Sequence, residues 1–304
     1  MKKQMGMVMG AVAVAFFANA ATAVAKPKDP APVSDPVPAQ AKCSTDSYTI
    51  TKAAPAGQDP QSIGTTINAT SCYGTVKMDP ASNPASIQPD GNLGYLNDGL
   101  LNGENGVLPW STFITPDRLQ DLNPAPGTGN VDPGWIQLGT MSASADTLDT
   151  STIGAGANPF NLNNVLTFSQ ATTSAGNSAS IYGTWTLSLD ADIINKLHNA
   201  GLFQRNNFDQ LAFVVKASNS WAVYDFDFTK IGGFDLTQPY SLSGTWNLDD
   251  FQNKDGQDQE LSFLGVWARD PDKDSNNVPE PGALALFGAG LLSLGALRRR
   301  RQAR

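Results

Sequence analysis

Leu211-Ala212-Phe213-Val214-Val215-Lys216-Ala217-Ser218-Asn219-Ser220-Trp221-Ala222-Val223-Tyr224-Asp225-Phe226-Asp227-Phe228 decides the fold class of this 304-residue chain. Residues 211–215 form an apolar run of strand length, 216–220 read as a turn, and 221–228 as the returning strand. Side chains alternate across a strand, so Ala222, Tyr224, Phe226 and Phe228 share a core-like face. Trp221, Asp225 and Asp227 fall on the other face, where they form an acid–aromatic cluster that is open to solvent unless a loop covers it.

Working outward, residues 181–189 alternate with period two and place Trp185, Leu187 and Leu189 together. Residues 243–248 and 261–267 supply two more strands. Trp185, Trp246 and Trp267 sit among Leu or Phe neighbours and are expected in the core. One short helix is predicted at 190–199, with Ile193, Ile194 and Leu197 on one side and Gly201 just past its end. The first half is punctuated by Gly, Asn, Asp and Pro and reads as loop-rich, with short segments at 48–50 and 135–138. The expectation is a mainly β protein, a jelly-roll-like β-sandwich with a short helix over residues 43–268. Gly-Thr-Trp occurs at 183–185 and 244–246; two copies are too few for a solenoid and read as similar strands of one sandwich.

Both ends carry targeting signals. Residues 1–25 combine Lys2 and Lys3, an apolar stretch from about Val8 to Ala18, and small residues at Ala23-Val24-Ala25. That pattern predicts a secretory signal peptide cut after Ala25, with Ala23 as the second choice. The apolar stretch falls short of the ~20 residues of a membrane span. Residues 26–42 hold five prolines and predict an extended spacer without a core. In an exported chain the two cysteines, Cys43 and Cys72, are expected to pair as a structural disulfide.

Residues 269–277 read as an acidic linker, followed by a three-part segment at 278–304. Pro279-Glu280-Pro281 breaks any helix, 282–297 is free of charge, and Arg298, Arg299, Arg300 and Arg301 close the segment. A 16-residue helix spans only ~24 Å, which snorkelling Arg side chains can extend to membrane thickness. A single transmembrane helix is therefore expected, with the Arg cluster in the cytoplasm and the main domain outside.

The combination closely resembles the PEP-CTERM sorting signal of exported Gram-negative bacterial proteins. The resemblance implies recognition by an exosortase, a membrane cysteine transpeptidase, after delivery by the Sec machinery. It also implies transient inner-membrane anchoring, then release or attachment at the cell surface, often beside exopolysaccharide. A plain single-span anchor is the alternative. Ser71-Cys72-Tyr73-Gly74, the two Gly-Thr-Trp copies and residues 214–224 are similar to ectodomains of the same family, which implies no known catalysis. The chain departs from that pattern at Lys216-Ala217-Ser218-Asn219, where Gly is commoner beside the Lys.

The charge balance narrows the partners. Seven of the 20 basic residues lie at the two ends, whereas all 28 acids lie between them. The central region therefore carries an excess of 15 acids, which argues against nucleic acid as a partner.

Catalytic chemistry is poorly represented. There is a single histidine, His198, expected at the surface, and no Gly-x-Ser-x-Gly. Two cysteines and one histidine make no zinc site. Asp270, Asp272, Asp274 and Asn276 alternate as in a calcium loop but lack its Gly and Glu, so no metal or other cofactor is expected. Trp221 with Asp225 and Asp227 forms the candidate carbohydrate contact, with Trp135 as an optional second tryptophan of that reading. The leading reading of Trp221 is nevertheless a Trp on an edge strand, covered by a loop. A glycan-acting hydrolase using those acids is a third reading; a non-enzymatic surface or matrix protein is the first.

Overall fold

The computed structural model describes residues 43–269, apart from 79–82, 87–91, 104–107, 109–111, 123–128, 143–144, 146, 155–159, 165, 175–179 and 200–207. The predicted signal peptide, spacer, sorting motif, membrane helix and Arg cluster lie outside these residues. Among the described residues no helix is long and apolar enough to cross a membrane.

The described strands are β1 (Tyr48–Pro55), β2 (Gln61–Asn68), β3 (Ser71–Lys77), β4 (Trp135–Ser142), β5 (Asp149–Thr150), β6 (Thr152–Ile153) and β7 (Phe160–Asn161). They continue as β8 (Leu166–Ser174), β9 (Ser180–Leu189), β10 (Gln210–Ala217), β11 (Ser220–Asp227), β12 (Tyr240–Asn247) and β13 (Leu261–Arg269). Helix α1 (Ile193–Asn199) lies between β9 and β10. One sheet has the order β2-β1-β12-β9-β8 and the other β3-β11-β10-β13-β4-β5, with all pairs antiparallel. The protein is a β-sandwich, and its sheets of five and six strands depart from an eight-stranded jelly roll.

The quoted stretch forms the expected hairpin, β10 against β11, with Ala217 opposite Ser220. Its turn is tighter than the sequence suggests, because Ser218 takes φ +51° and reverses the chain in two residues. The inner faces of the two sheets meet in one core. Tyr48 stacks on Phe213 at 5.0 Å and on Tyr224 at 4.8 Å, and Trp185 lies 4.9 Å from Phe213. Each large apolar side chain buried in this way stabilises the fold by roughly 1.5–3 kcal/mol.

The two Gly-Thr-Trp copies pair with each other. Across β12 and β9, Gly244 faces Trp185 and Trp246 faces Gly183, so each indole lies opposite a residue with no side chain. A Cβ on Gly244 would fall 1.7 Å from the Thr49 carbonyl oxygen and 2.9 Å from the Trp185 ring. The Trp185 indole N–H donates to that same carbonyl at 3.1 Å. The repeat is thus a packing device between neighbouring strands.

The loop-rich first half holds more regular structure than expected. Strands β2 and β3 extend the two sheets, and apolar residues described between β3 and β4 pack over the outer face of the six-stranded sheet. Leu100, Leu101, Leu108, Phe113, Ile114 and Leu119 bury themselves there against Trp135, Val214, Trp221, Val223 and Trp267. This makes a third layer, built from loop. The domain also runs one residue further than predicted: Arg269 ends β13 and is fully buried, so it belongs to the fold and not to the acidic linker.

Candidate functional site

The outer face of the six-stranded sheet changes character along its length, and the strand registers show how. Phe263, Lys216, Trp221 and Val76 form one row across β13, β10, β11 and β3. Two rows on, Trp267, Ala212, Asp225 and Ser71 are aligned; the last row holds Arg269, Gln210 and Asp227. Apart from the half-buried Lys216, an apolar end thus grades into a charged end, and the loop layer covers Trp221 at the one and meets Asp227 at the other.

Arg118 brings the layer to the charged end. It closes a short 3-10 turn, Pro116–Arg118, and its guanidinium reaches Asp209 at 2.6 Å and Asp227 at 2.8 Å. Arg269 reaches Asp209 at 2.6 Å, donates through Nε to the Pro133 carbonyl at 2.9 Å, and also donates to the Arg118 carbonyl. Lys230 lies 3.1 Å from Asp227 and is largely exposed. Burial would raise the Asp227 carboxyl, but hydrogen bonding from Thr229 and the charges of Arg118 and Lys230 outweigh it and hold the group below the ordinary range.

Asp225 behaves differently. Burial pushes its carboxyl up to about 8, and the charge of Asp227 adds to the effect. Lys230 and a hydrogen bond from Ser71 oppose the shift without cancelling it. Its Oδ2 accepts from Ser71 at 3.3 Å and from Gln210 Nε2 at 3.4 Å, while its Oδ1 has no hydrogen-bond partner among the described residues. The environment thus favours the protonated form of Asp225, beside carboxylates that are held in ion pairs.

This geometry agrees with the reading of Trp221 as covered by a loop and argues against the carbohydrate contact. Trp221 and Asp227 are 0% exposed, Asp225 1%, and Trp135 0%. Trp221 packs on Tyr73 with ring centroids 5.9 Å apart, under the loop layer. The face assignment from alternation is right, but the face is covered, so no indole is presented to a sugar ring. Strand β11 is also interior to its sheet and not an edge strand. Asp227 is held in ion pairs that fasten the layer and Asp225 is buried without one, so the two form no open pair of carboxylates.

The layer is pinned at its other margin by side chains that imitate a strand. Asn92 donates to the Gln137 carbonyl at 3.0 Å and accepts from the Gln137 N–H at 2.8 Å. Asn102 does the same at Trp135, at 2.8 and 3.1 Å. Two amides thereby satisfy the stretch of β4 that no strand covers. Asp98 receives the backbone N–H groups of Asn92, Leu93 and Gly94, and Asp132 those of Leu96 and Leu122.

Cys43 and Cys72 form the disulfide, with Cα atoms 6.1 Å apart. Beside it Asp250 accepts from the Ser44 N–H at 2.9 Å, the Ser47 hydroxyl at 2.7 Å and the Tyr224 hydroxyl at 2.8 Å. The start of the domain is thus locked to β3 and β11. His198 lies on α1 as expected. Among the described residues no group of three or more His, Cys, Asp or Glu is placed to hold a metal. A cavity of about 40 Å³ between the sheets is lined mainly by apolar side chains such as Leu187, Leu211, Phe228 and Leu242.

Arg118, Asp209, Lys230 and Arg269 escaped the sequence reading. The available signal was scarcity: Arg118, Arg205 and Arg269 are the sole arginines between the two basic ends. Arginine is the cation best suited to buried pairs, so its retention in an Arg-poor domain points inward.

A recognisable sorting signal lies beyond this domain. Residues 277–301 match the PEP-CTERM protein-sorting motif. The chain carries the C-terminal sorting signal of exosortase substrates. The PEP-CTERM match includes Pro279, Glu280, Pro281 and the arginines from Arg298 to Arg301, all outside the described residues. It implies export and a membrane-anchored precursor processed by an exosortase. No curated protein and no solved structure matches the chain.

Proposed function

We propose that the protein is a non-enzymatic surface or matrix component, exported through the Sec machinery, released or re-attached by an exosortase and retained with extracellular polysaccharide. The sorting signal at 277–301 is the observation that carries this reading. The ectodomain supports it in two ways. Asp227 and the aromatic side chains of the outer face are engaged with a loop layer, and Asp225 is buried beside them. A disulfide and a covered sheet face suit a domain built to persist outside the cell.

Intact mass of the mature protein, from the native host and from the same host lacking its exosortase, tests the reading. The expected product begins near Lys26 and ends within 279–282, and the C-terminal cut disappears with the enzyme. In the wild-type host the product is expected to co-fractionate with the polysaccharide matrix. A chain that keeps Arg298 to Arg301 in both hosts would replace this reading with a simple membrane anchor. A correctly cut chain found free in the medium would remove the matrix role alone.

A further inference from the structure

Strand β13 lies between β10 and β4, inside its sheet, and its last residue is the buried Arg269. The side chain is fastened to Asp209, the Pro133 carbonyl and the Arg118 carbonyl. The folded domain therefore holds the chain firmly up to residue 269. Nine residues, 270–278, separate that point from Pro279 of the sorting motif. Ten Cα-to-Cα steps reach at most ~35 Å. A domain of this length has a radius of gyration of roughly 17 Å and hence a width of about 45 Å. The tether is shorter than the domain is wide.

We infer that residues 270–278 act as a length-limited spacer that holds the Arg269 corner of the sandwich toward the membrane-embedded processing enzyme; this rests on the sorting reading above. With Arg269 on the far side of the domain, the motif could not reach the membrane surface. The facing corner is made by the last row of the outer sheet face, Arg269, Gln210 and Asp227, with the turns at 116–118 and 228–231 around it. Lys230 is its exposed cation. The β10–β11 turn at Ser218 and Asn219 closes the opposite end of the same strands, about 25 Å away at strand rise. The start of the domain leaves near the same corner. Cys43 is bonded to Cys72, which pairs with Tyr224, three residues along β11 from Asp227.

Spacer length is tested in the full chain, in a host that has its exosortase. Deleting 271–276 is expected to cut the processed fraction at a fixed early time at least tenfold. Replacing the same six residues with Gly and Ser, or adding six more, is expected to leave processing within twofold of wild type. Changing Pro279, Glu280 and Pro281 to Ala is expected to block it in every length variant. Normal processing of the deletion overturns the spacer while leaving the sorting reading intact; failure of the equal-length replacement overturns it too, since composition and not length would then matter. Processing that survives the Ala triple change overturns the sorting reading itself. Orientation is read separately in unprocessed chain in proteoliposomes, using fluorophores on Lys230→Cys or Asn219→Cys and a quencher in the bilayer. Stronger quenching at position 230 is expected, and equal or reversed quenching overturns the orientation.

Discussion

The two faces of the six-stranded sheet are buried by different means. Its inner face meets another sheet, and the contact is aromatic and aliphatic throughout, with Phe213 touching Tyr48, Trp185 and Phe226. Its outer face meets a loop layer, held by an apolar patch at one end, ion pairs at the other and amide clamps along β4. Sheet-on-sheet burial is distributed and non-directional, so each residue contributes by area. Burial under loop is pointwise: a layer without its own ladder must satisfy its backbone through particular side chains. Stability in the first case should be global, and in the second it should be separable into local openings.

The largest test of that contrast is Phe213→Ala. It removes a fully buried ring at the centre of the inter-sheet core and is expected to cost about 3–5 kcal/mol. Chemical denaturation should show the midpoint fall, and hydrogen exchange should show protection drop in both sheets and in the loop layer together. A loss confined to one sheet would break the picture of a shared core.

Arg118→Ala is the complementary change and the next in size. It strips one cation from both Asp209 and Asp227, which keep Arg269 and Lys230 as partners. Its side chain is about a fifth exposed, so solvent screens part of the loss, and a cost of about 2 kcal/mol is expected. Amides pinned within the layer, such as those of Leu96 and Leu122, should exchange faster, while those of β12 and β9 should keep their protection. If the β12 and β9 amides accelerate equally, layer and sandwich form one cooperative unit and the contrast fails.

The same division explains what could be read from the chain. The hairpin β10–β11 and the strands β9, β12 and β13 were legible because a period of two, bounded by turns, is a local pattern. So was the placing of Trp185 and Trp246 in the core. The fate of Trp221 was not legible from β11 alone, since alternation tells which face a residue takes but not what lies above it. The cover consists of residues such as Leu101, Phe113, Ile114 and Leu119, more than a hundred positions earlier and without periodicity. Their being apolar in a Gly- and Asn-rich segment was the available hint. Ion pairs such as Arg118 with Asp227 are set by tertiary approach, which no spacing rule encodes. The sorting signal, by contrast, is linear and is read as such by its enzyme.

The smallest effect is the most specific to the loop-covered face, and it concerns pH. Asp225 has its carboxyl raised to about 8 in the folded protein, first by burial and then by Asp227. An acid whose folded value lies above its unfolded value binds a proton more tightly when folded. Its contribution is fully present below the ordinary carboxylate range and is lost as pH rises from there to about 8. Asp227 has the opposite sign: its lowered value gives stability above the ordinary range that is lost in acid. The two slopes should place maximal stability in the mildly acidic range. Asp225→Asn keeps the shape and removes the proton exchange, so it should leave stability near pH 4.5 within about 0.5 kcal/mol and already raise it at pH 5.5 by about 1–2 kcal/mol, the gap widening with pH. Melting curves of the two proteins across that range provide the measurement. Parallel curves would mean that Asp225 stays ionised in the fold, and the outer face would then hold an unbalanced buried charge that the ion pairs around it had to absorb.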